Sequence, residues 1–186
     1  MGLSIHFCGT LAQPLSINGL VDEVTDICNS LLWEWKLITA SSLNGIVFSA
    51  PECEPVFLTF TSTGKLFSPL QEGMEETYRK AGLDPSMIYW QSVKTQFAGI
   101  AVHKALIKLF RYLSQKYFQH FELNDEGLYW ETNDEGVLKT QFQKYELGLQ
   151  AVTDALSGMQ QQTGESPTDL AARIEAVLKQ LQQRKD

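Results

Sequence analysis

The sequence predicts an α+β fold: a mainly antiparallel sheet of about five or six strands, helices packed on one of its faces, and a C-terminal helical hairpin. Three observations carry this. Short segments in the first two thirds alternate apolar and polar side chains, the period-two mark of strands with one buried face. Longer segments repeat apolar residues at spacings of three and four, the mark of amphipathic helices. The strands follow one another across turn residues more often than they alternate with helices, which favours antiparallel pairing.

The first strand covers 3–11, with Leu3, Ile5 and Phe7 opposite Ser4, His6, Cys8 and Thr10. Pro14 ends it, and Ser16 is placed to cap a helix running to about residue 32. Ile17, Leu20, Val21, Val24, Ile27, Cys28 and Leu31 form the apolar side of that helix. Residues 33–39 make a second strand. Asn44-Gly45 then reads as the hairpin turn, because this pair readily takes the positive φ that tight turns need. Strands at 46–50 and 56–61 flank a loop bounded by Pro51 and Pro55. Ser62-Thr63-Gly64-Lys65 turns the chain, and a short helix at 71–80 closes at Gly82.

Residues 87–134 are the stretch around which the rest is arranged: a strand at 87–97, a helix at 98–119 and a strand at 127–132. The first strand directs Met87, Tyr89, Val93 and Phe97 inward, and Trp90, Ser92, Lys94 and Gln96 outward. Val102, Leu106, Leu109, Leu113 and Tyr117 form the helix's buried stripe, with Lys104, Lys108 and Arg111 on its solvated side. The core order, β-α-β-β-β-β-α, resembles that of the TATA-binding-protein fold over about residues 3–119. The resemblance is one of topology, rests on no shared motif and implies no function.

Beyond residue 133 the texture changes. Leu138, Phe142, Tyr145, Leu149, Val152 and Leu156 repeat at four-three spacing, as do Leu170, Ile174, Val177 and Leu181. A Gln- and Gly-rich linker at 158–165 separates them, and Ser166-Pro167-Thr168-Asp169 has the composition of a helix start. The expected division is a sheet domain at 1–133 and a helical hairpin at 134–186, docked on the same domain.

Composition narrows the function classes. In 186 residues, 44% are hydrophobic and 20% charged, ordinary for a globular chain with one good core. A net charge of −7 disfavours nucleic acid, whose phosphates need a basic field. Cys8, Cys28 and Cys53 are too few and too scattered for a disulfide framework, which suits a reducing compartment. No apolar run is long enough for a membrane span, and no signal-peptide or myristoylation pattern opens the sequence. The expected location is the cytoplasm, with no membrane partner.

No motif carries chemistry. His6-x-Cys8 supplies two potential zinc ligands where three or four are needed. Asn124-Asp125-Glu126-Gly127 recurs as Asn133-Asp134-Glu135-Gly136, but without the ligand alternation of a calcium loop. Turn chemistry accounts for both copies, the first leading into a strand and the second capping the next helix. Thr63-Gly64-Lys65 lacks the first glycine and the hydroxyl of a phosphate-binding loop. No metal and no cofactor is expected.

Aligning the strands by face gathers one candidate site. If the apolar sets face the helices, the other sheet face collects His6, Cys8, Thr10, Thr59, Thr61, Trp90, Ser92, Lys94 and Gln96, joined by Glu131 or Tyr129 from the last strand. Trp90, Lys94, Gln96, His6 and Glu131 are the candidate binding residues. The expectation is a non-catalytic protein-interaction domain of adaptor, regulator or toxin-neutralising type. Its partner is a protein or a second copy, held by this face or by the C-terminal helices. The alternative is a small-molecule-binding or enzymatic domain with a pocket between the sheet and those helices.

Overall fold

The computed structural model describes residues 3–40, 42–157, 172–173 and 175–176. Contacts divide the chain into two compact units, residues 1–142 and 143–186, and the sheets belong to the first.

Two antiparallel three-stranded sheets stand in place of the single sheet of five or six strands. In one, β1 (Ser4–Leu11) lies between β5 (Gln91–Lys94) and β6 (Phe118–Asp125). In the other, β3 (Leu43–Ser49) lies between β2 (Glu34–Thr39) and β4 (Val56–Thr61). The reason is the turn after β4. The chain folds back so that residues 64–67 occupy the space between β1 and β4. Leu66 N–H donates to the Gly9 carbonyl and Leu11 N–H to the Gly64 carbonyl, while Thr61 N–H donates to Lys65 and Phe67 N–H to Thr59. The single sheet implied by the TATA-binding-protein topology is therefore absent.

The helices cover the apolar faces. α1 (Ile17–Leu31) buries Leu20, Val24 and Cys28 and packs on β3, where Ile46 and Phe48 are enclosed. α3 (Gly99–Tyr117) packs on β6. It buries the expected Leu106, Leu109, Leu113 and Tyr117, and also His103, Ile107 and Phe110. Phe110 meets Phe7 at 4.5 Å between ring centroids, and Phe121 of β6 joins both. Each such fully enclosed apolar side chain contributes about 1.5–3 kcal/mol of transfer free energy. Gly9 makes room for this layer: a Cβ there would stand 2.7 Å from the Phe118 ring.

Several elements depart from the sequence reading. The hairpin between β2 and β3 is closed ahead of Asn44, by Ala40 N–H donating to the Leu43 carbonyl at 2.8 Å. Gly45 sits inside β3 instead, with φ of 151°, because a Cβ there would lie 2.1 Å from the Leu58 carbonyl oxygen. The helix at 71–80 contracts to a 3-10 turn, Pro69–Gln71, and α2 (Glu75–Lys80), followed by Gly82 at φ 71°. The strand at 87–97 is a 3-10 turn, Pro85–Tyr89, followed by the four residues of β5. Pro85 starts that turn and the Asp84 side chain accepts from Ser86 N–H, so local capping overrides the alternation. Met87 and Phe97, expected inside, are 46% and 66% exposed, while Val93 is buried as expected.

The largest departure follows α3. Helix passes directly into strand at Phe118, whose backbone is extended, and β6 then pairs with β1 from Leu11↔Phe118 to Ile5↔Asp125. The strand expected at 127–132 is a short helix, α4 (Tyr129–Thr132), leading to α5 (Glu135–Ser157). The first Asn-Asp-Glu-Gly copy therefore opens a helix and not a strand. The second caps α5 as expected, with Asp134 Oδ1 accepting from the N–H groups of Gly136 and Val137. Along α5, Leu138 and Phe142 are buried and Leu149 is exposed. The linker at 158–165, the helix start at 166–169 and all four residues of the last apolar repeat, Leu170, Ile174, Val177 and Leu181, lie outside the described residues.

Candidate functional site

The geometry of the first sheet is set from beneath by a buried polar relay. His103 projects from the apolar side of α3, and Thr95, His103 and Asp125 are at most 1% exposed. Thr95 Oγ1 lies 2.7 Å from His103 Nδ1 and 3.2 Å from the Leu3 carbonyl oxygen. His103 Nε2 lies 2.9 Å from Asp125 Oδ1, off the direction of a straight hydrogen bond. Asp125 also accepts from three backbone N–H groups: Gly127 at 2.7 Å, Tyr129 at 2.7 Å and Trp130 at 2.9 Å. Burial pushes its pKa up, but the imidazole and the Trp130 and Gly127 N–H groups outweigh it and hold the carboxyl below its ordinary value. The order Thr–His–Asp is that of a nucleophile relay. All three members are sealed from solvent, so the arrangement ties β1, β5, α3 and β6 together and presents no group to a substrate.

The other side of this sheet is open. Ile5, Phe7 and Leu11 point to the core, so the alternate residues His6, Cys8 and Thr10 point outward and are half-buried. Strand register places Ser92 and Asn124 on either side of His6, and sets Cys8 opposite Glu122 and Thr10 opposite His120. Carboxylates line the β6 side. Glu126 Oε2 accepts from Ser4 N–H at 2.7 Å while Oε1 lies 3.7 Å from His6 Nε2. Glu122 Oε1 lies 2.8 Å from His120 Nε2. Lysines line the other side: Lys94 at the end of β5, and Lys65, bridged to Thr10, with its ammonium 3.2 Å from the Tyr89 ring centroid. The face is thus divided into an acidic edge, a His/Cys/Thr centre and a basic, aromatic edge. Burial raises the Cys8 pKa, and the Glu122 carboxylate adds to the rise.

Of the five candidate residues, His6 and Lys94 lie on this face. Lys94 backbone N–H donates to Glu54 Oε2 at 2.9 Å, so the loop after β3 occupies the free edge of β5. Trp90 immediately precedes β5 and is half-buried; its carbonyl accepts from Gln71 Nε2 at 2.9 Å. Gln96 lies just beyond β5, its side-chain oxygen buried without a hydrogen-bond partner. Glu131 is an exposed residue of α4 and Tyr129 a buried one, so neither joins the sheet. Thr59 and Thr61 belong to the other sheet, and Thr59 is buried because its hydroxyl donates to the Phe67 carbonyl at 2.5 Å.

Sequence reasoning misses Glu122, Glu126, Asn124 and His120, because it ends the helix at about residue 119, gives 120–123 no element and takes 124–127 as a turn, where β6 runs from Phe118 to Asp125. Phe121, Leu123 and Asp125 alternating with His120, Glu122 and Asn124 is the signal that marks the strand. Two members of the expected solvated stripe on α3 are also occupied. Lys104 pairs with Glu135, and Arg111 donates to Asn133 Oδ1 and to the Trp130 carbonyl at 2.9 and 2.8 Å. They fasten α4 and the start of α5 to α3.

Elsewhere the chemistry is sparse. No cluster of three or more metal-ligating side chains and no helix long and apolar enough to cross a membrane occurs among the described residues. All three cysteines are free; burial pushes the Cys28 thiol up to about 11, and burial with the Glu54 carboxylate does the same for Cys53. An open cleft of about 540 Å³, lined by Phe67, Glu72, Gly73, Glu75, Glu76 and Arg79, contains none of the five candidate residues. The chain matches no protein-family model, no curated protein and no solved structure.

Proposed function

We propose that this chain is a non-catalytic cytoplasmic protein-interaction domain, of adaptor, regulator or toxin-neutralising type, that holds a protein partner on the outward face of the β5-β1-β6 sheet. The observation that carries the reading is the division of charge across that face. Glu122 and Glu126 line one edge, Lys65 and Lys94 the other, with His6 and Cys8 between. A surface of this kind selects a partner by complementary charge, and a half-buried tryptophan at its border supplies an aromatic anchor. The chain's net charge of −7 favours a protein over a nucleic acid. The free cysteines fit a reducing compartment. An enzymatic reading needs His6, Lys94 and Glu131 to converge, and no hydrogen bond or ion pair joins any two of them.

The test replaces Trp90 and Lys94 together with alanine. Both are half-buried, so the variant loses some stability, and circular dichroism at the assay temperature checks that it is folded. Affinity for the partner falls at least about tenfold, as expected where an aromatic anchor and a facing charge are removed. Equal affinity in wild type and variant removes this face from the account.

A further inference from the structure

The second sheet carries a different surface, and the inference drawn from it does not rest on the polar face. β2 is an edge strand of six residues, five of them exposed and the sixth half-buried. The hairpin fixes which backbone groups are free. Ala40 N–H bonds the Leu43 carbonyl, and hydrogen-bonded pairs alternate along an antiparallel ladder. Ile38, Lys36 and Glu34 therefore bond to β3, while the N–H and C=O groups of Trp35, Leu37 and Thr39 point away from the sheet. Open edges of this length are usually blunted by a bulge, a proline or a covering loop. This one has no proline, and its register with β3 is unbroken.

Side chains around the edge are apolar where solvent would favour polar ones. Trp35 and Leu37 share the face of α1, with the Trp35 indole donating to Asn29 Oδ1 at 2.9 Å. At the end of α1, Leu31 is exposed and Leu32 is 89% exposed. Leu32 has φ of 56°, a conformation that usually selects glycine or asparagine at a helix end. A bulky apolar side chain in that position, turned to solvent, gains nothing within the chain.

The charges identify what covers the edge. Glu34 and Lys36 flank Trp35 on the opposite face, and neither forms an ion pair among the described residues. A lone lysine would merely guard the edge. A glutamate two residues before it makes the edge self-complementary. We propose that a second copy of this chain adds antiparallel to β2, about a two-fold axis through Trp35. Each Glu34 then faces the other copy's Lys36, in the pair type that brings side chains closest. Trp35 exchanges both backbone hydrogen bonds with its counterpart, and Leu37 N–H reaches the Trp33 carbonyl of the second copy. The two sheets become one six-stranded sheet, with both α1 helices on the same side. Centring the axis on Lys36 would oppose two lysines. Centring it on Leu37 would set Lys36 against Ile38 and Glu34 against Ala40, pairing neither charge.

Charge reversal tests this register. Glu34→Lys gives two lysine–lysine contacts across the axis, and Lys36→Glu gives two glutamate–glutamate contacts. Both positions are exposed, so far-ultraviolet circular dichroism stays at its wild-type value, while the melting temperature falls only by the part that dimerisation adds and converges with that of wild type on dilution. Sedimentation velocity on the full chain then reads the assembly. Wild type sediments as a dimer. Each single variant dimerises at least about tenfold more weakly. An equimolar mixture of the two regains the dimer, because in the mixed pair the introduced lysine of one copy faces the introduced glutamate of the other. The double variant also dimerises. Wild type remaining monomeric up to about 100 µM would overturn the proposal. So would single variants that dimerise as tightly as wild type, which would place the contact elsewhere on the chain.

Discussion

Replacing Asp125 with asparagine tests the buried relay that positions the sheet. The carboxylate accepts from three backbone N–H groups and lies 2.9 Å from the His103 ring nitrogen. Asparagine is the same size but presents one oxygen and one NH2. If the oxygen keeps Tyr129 and Trp130, the NH2 turns toward Gly127 N–H and His103. The imidazole can adapt by switching to the Nδ1–H tautomer, in which Nδ1–H donates to the Thr95 hydroxyl and that hydroxyl donates to the Leu3 carbonyl. The Gly127 N–H has no such escape and is left buried and unpaired. One unsatisfied buried donor costs about 1–3 kcal/mol. The expected loss is therefore about 2 kcal/mol, a fall of roughly 6–8 °C in Tm for a cooperative unit of this size. Urea unfolding followed by tryptophan fluorescence gives the free energy directly. The sign of the pH dependence is fixed too. The carboxyl of Asp125 is held below its ordinary value, so its stabilisation is complete above about pH 4–5 and is lost as pH falls through the folded value. The gap between wild type and variant narrows on acidification below about pH 4. A loss under about 0.5 kcal/mol, or a gap that widens in acid, would refute the reasoning.

Two further outcomes follow from the same packing. A Cβ at Gly127 would stand 2.6 Å from Leu138 Cδ1 and 2.7 Å from His103 Nε2, so Gly127→Ala destabilises by about 1–3 kcal/mol in the same urea titration. Cys28 and Cys53, with thiols pushed up to about 11, react with iodoacetamide at pH 7.5 on the order of 10² times more slowly than free cysteine. Their rates climb as pH approaches 11, and unfolding in urea removes the protection; fast native labelling would contradict the burial.

What the sequence made legible was local. β1, β4, α1 and most of α3 follow from periodicity, and the Asp134 cap follows from side-chain chemistry within three residues. What it hid depends on contacts across the fold. Asp125 reads as a turn residue, yet it is enclosed because His103, 22 positions earlier, meets it from α3. That contact and the three amides hold Tyr129–Thr132 as a helix in spite of its strand-like composition. His103 escapes the sequence reading, although its spacing of three, four and seven to Leu106, Ile107 and Phe110 sets it on the buried side of α3. The candidate face was half legible. His6 and Lys94 were found from alternation in β1 and β5, whereas its acidic side was missed with β6.

The account turns on whether the β5-β1-β6 face holds a partner. Native mass spectrometry of gently purified wild type and of the Trp90→Ala, Lys94→Ala double variant tests this most directly. The account predicts an additional protein mass bound to wild type, whether to one copy or two, and its loss from a variant that circular dichroism shows to be folded at the same temperature. The same partner mass retained at the same occupancy by the variant, or no partner with wild type at all, would contradict it.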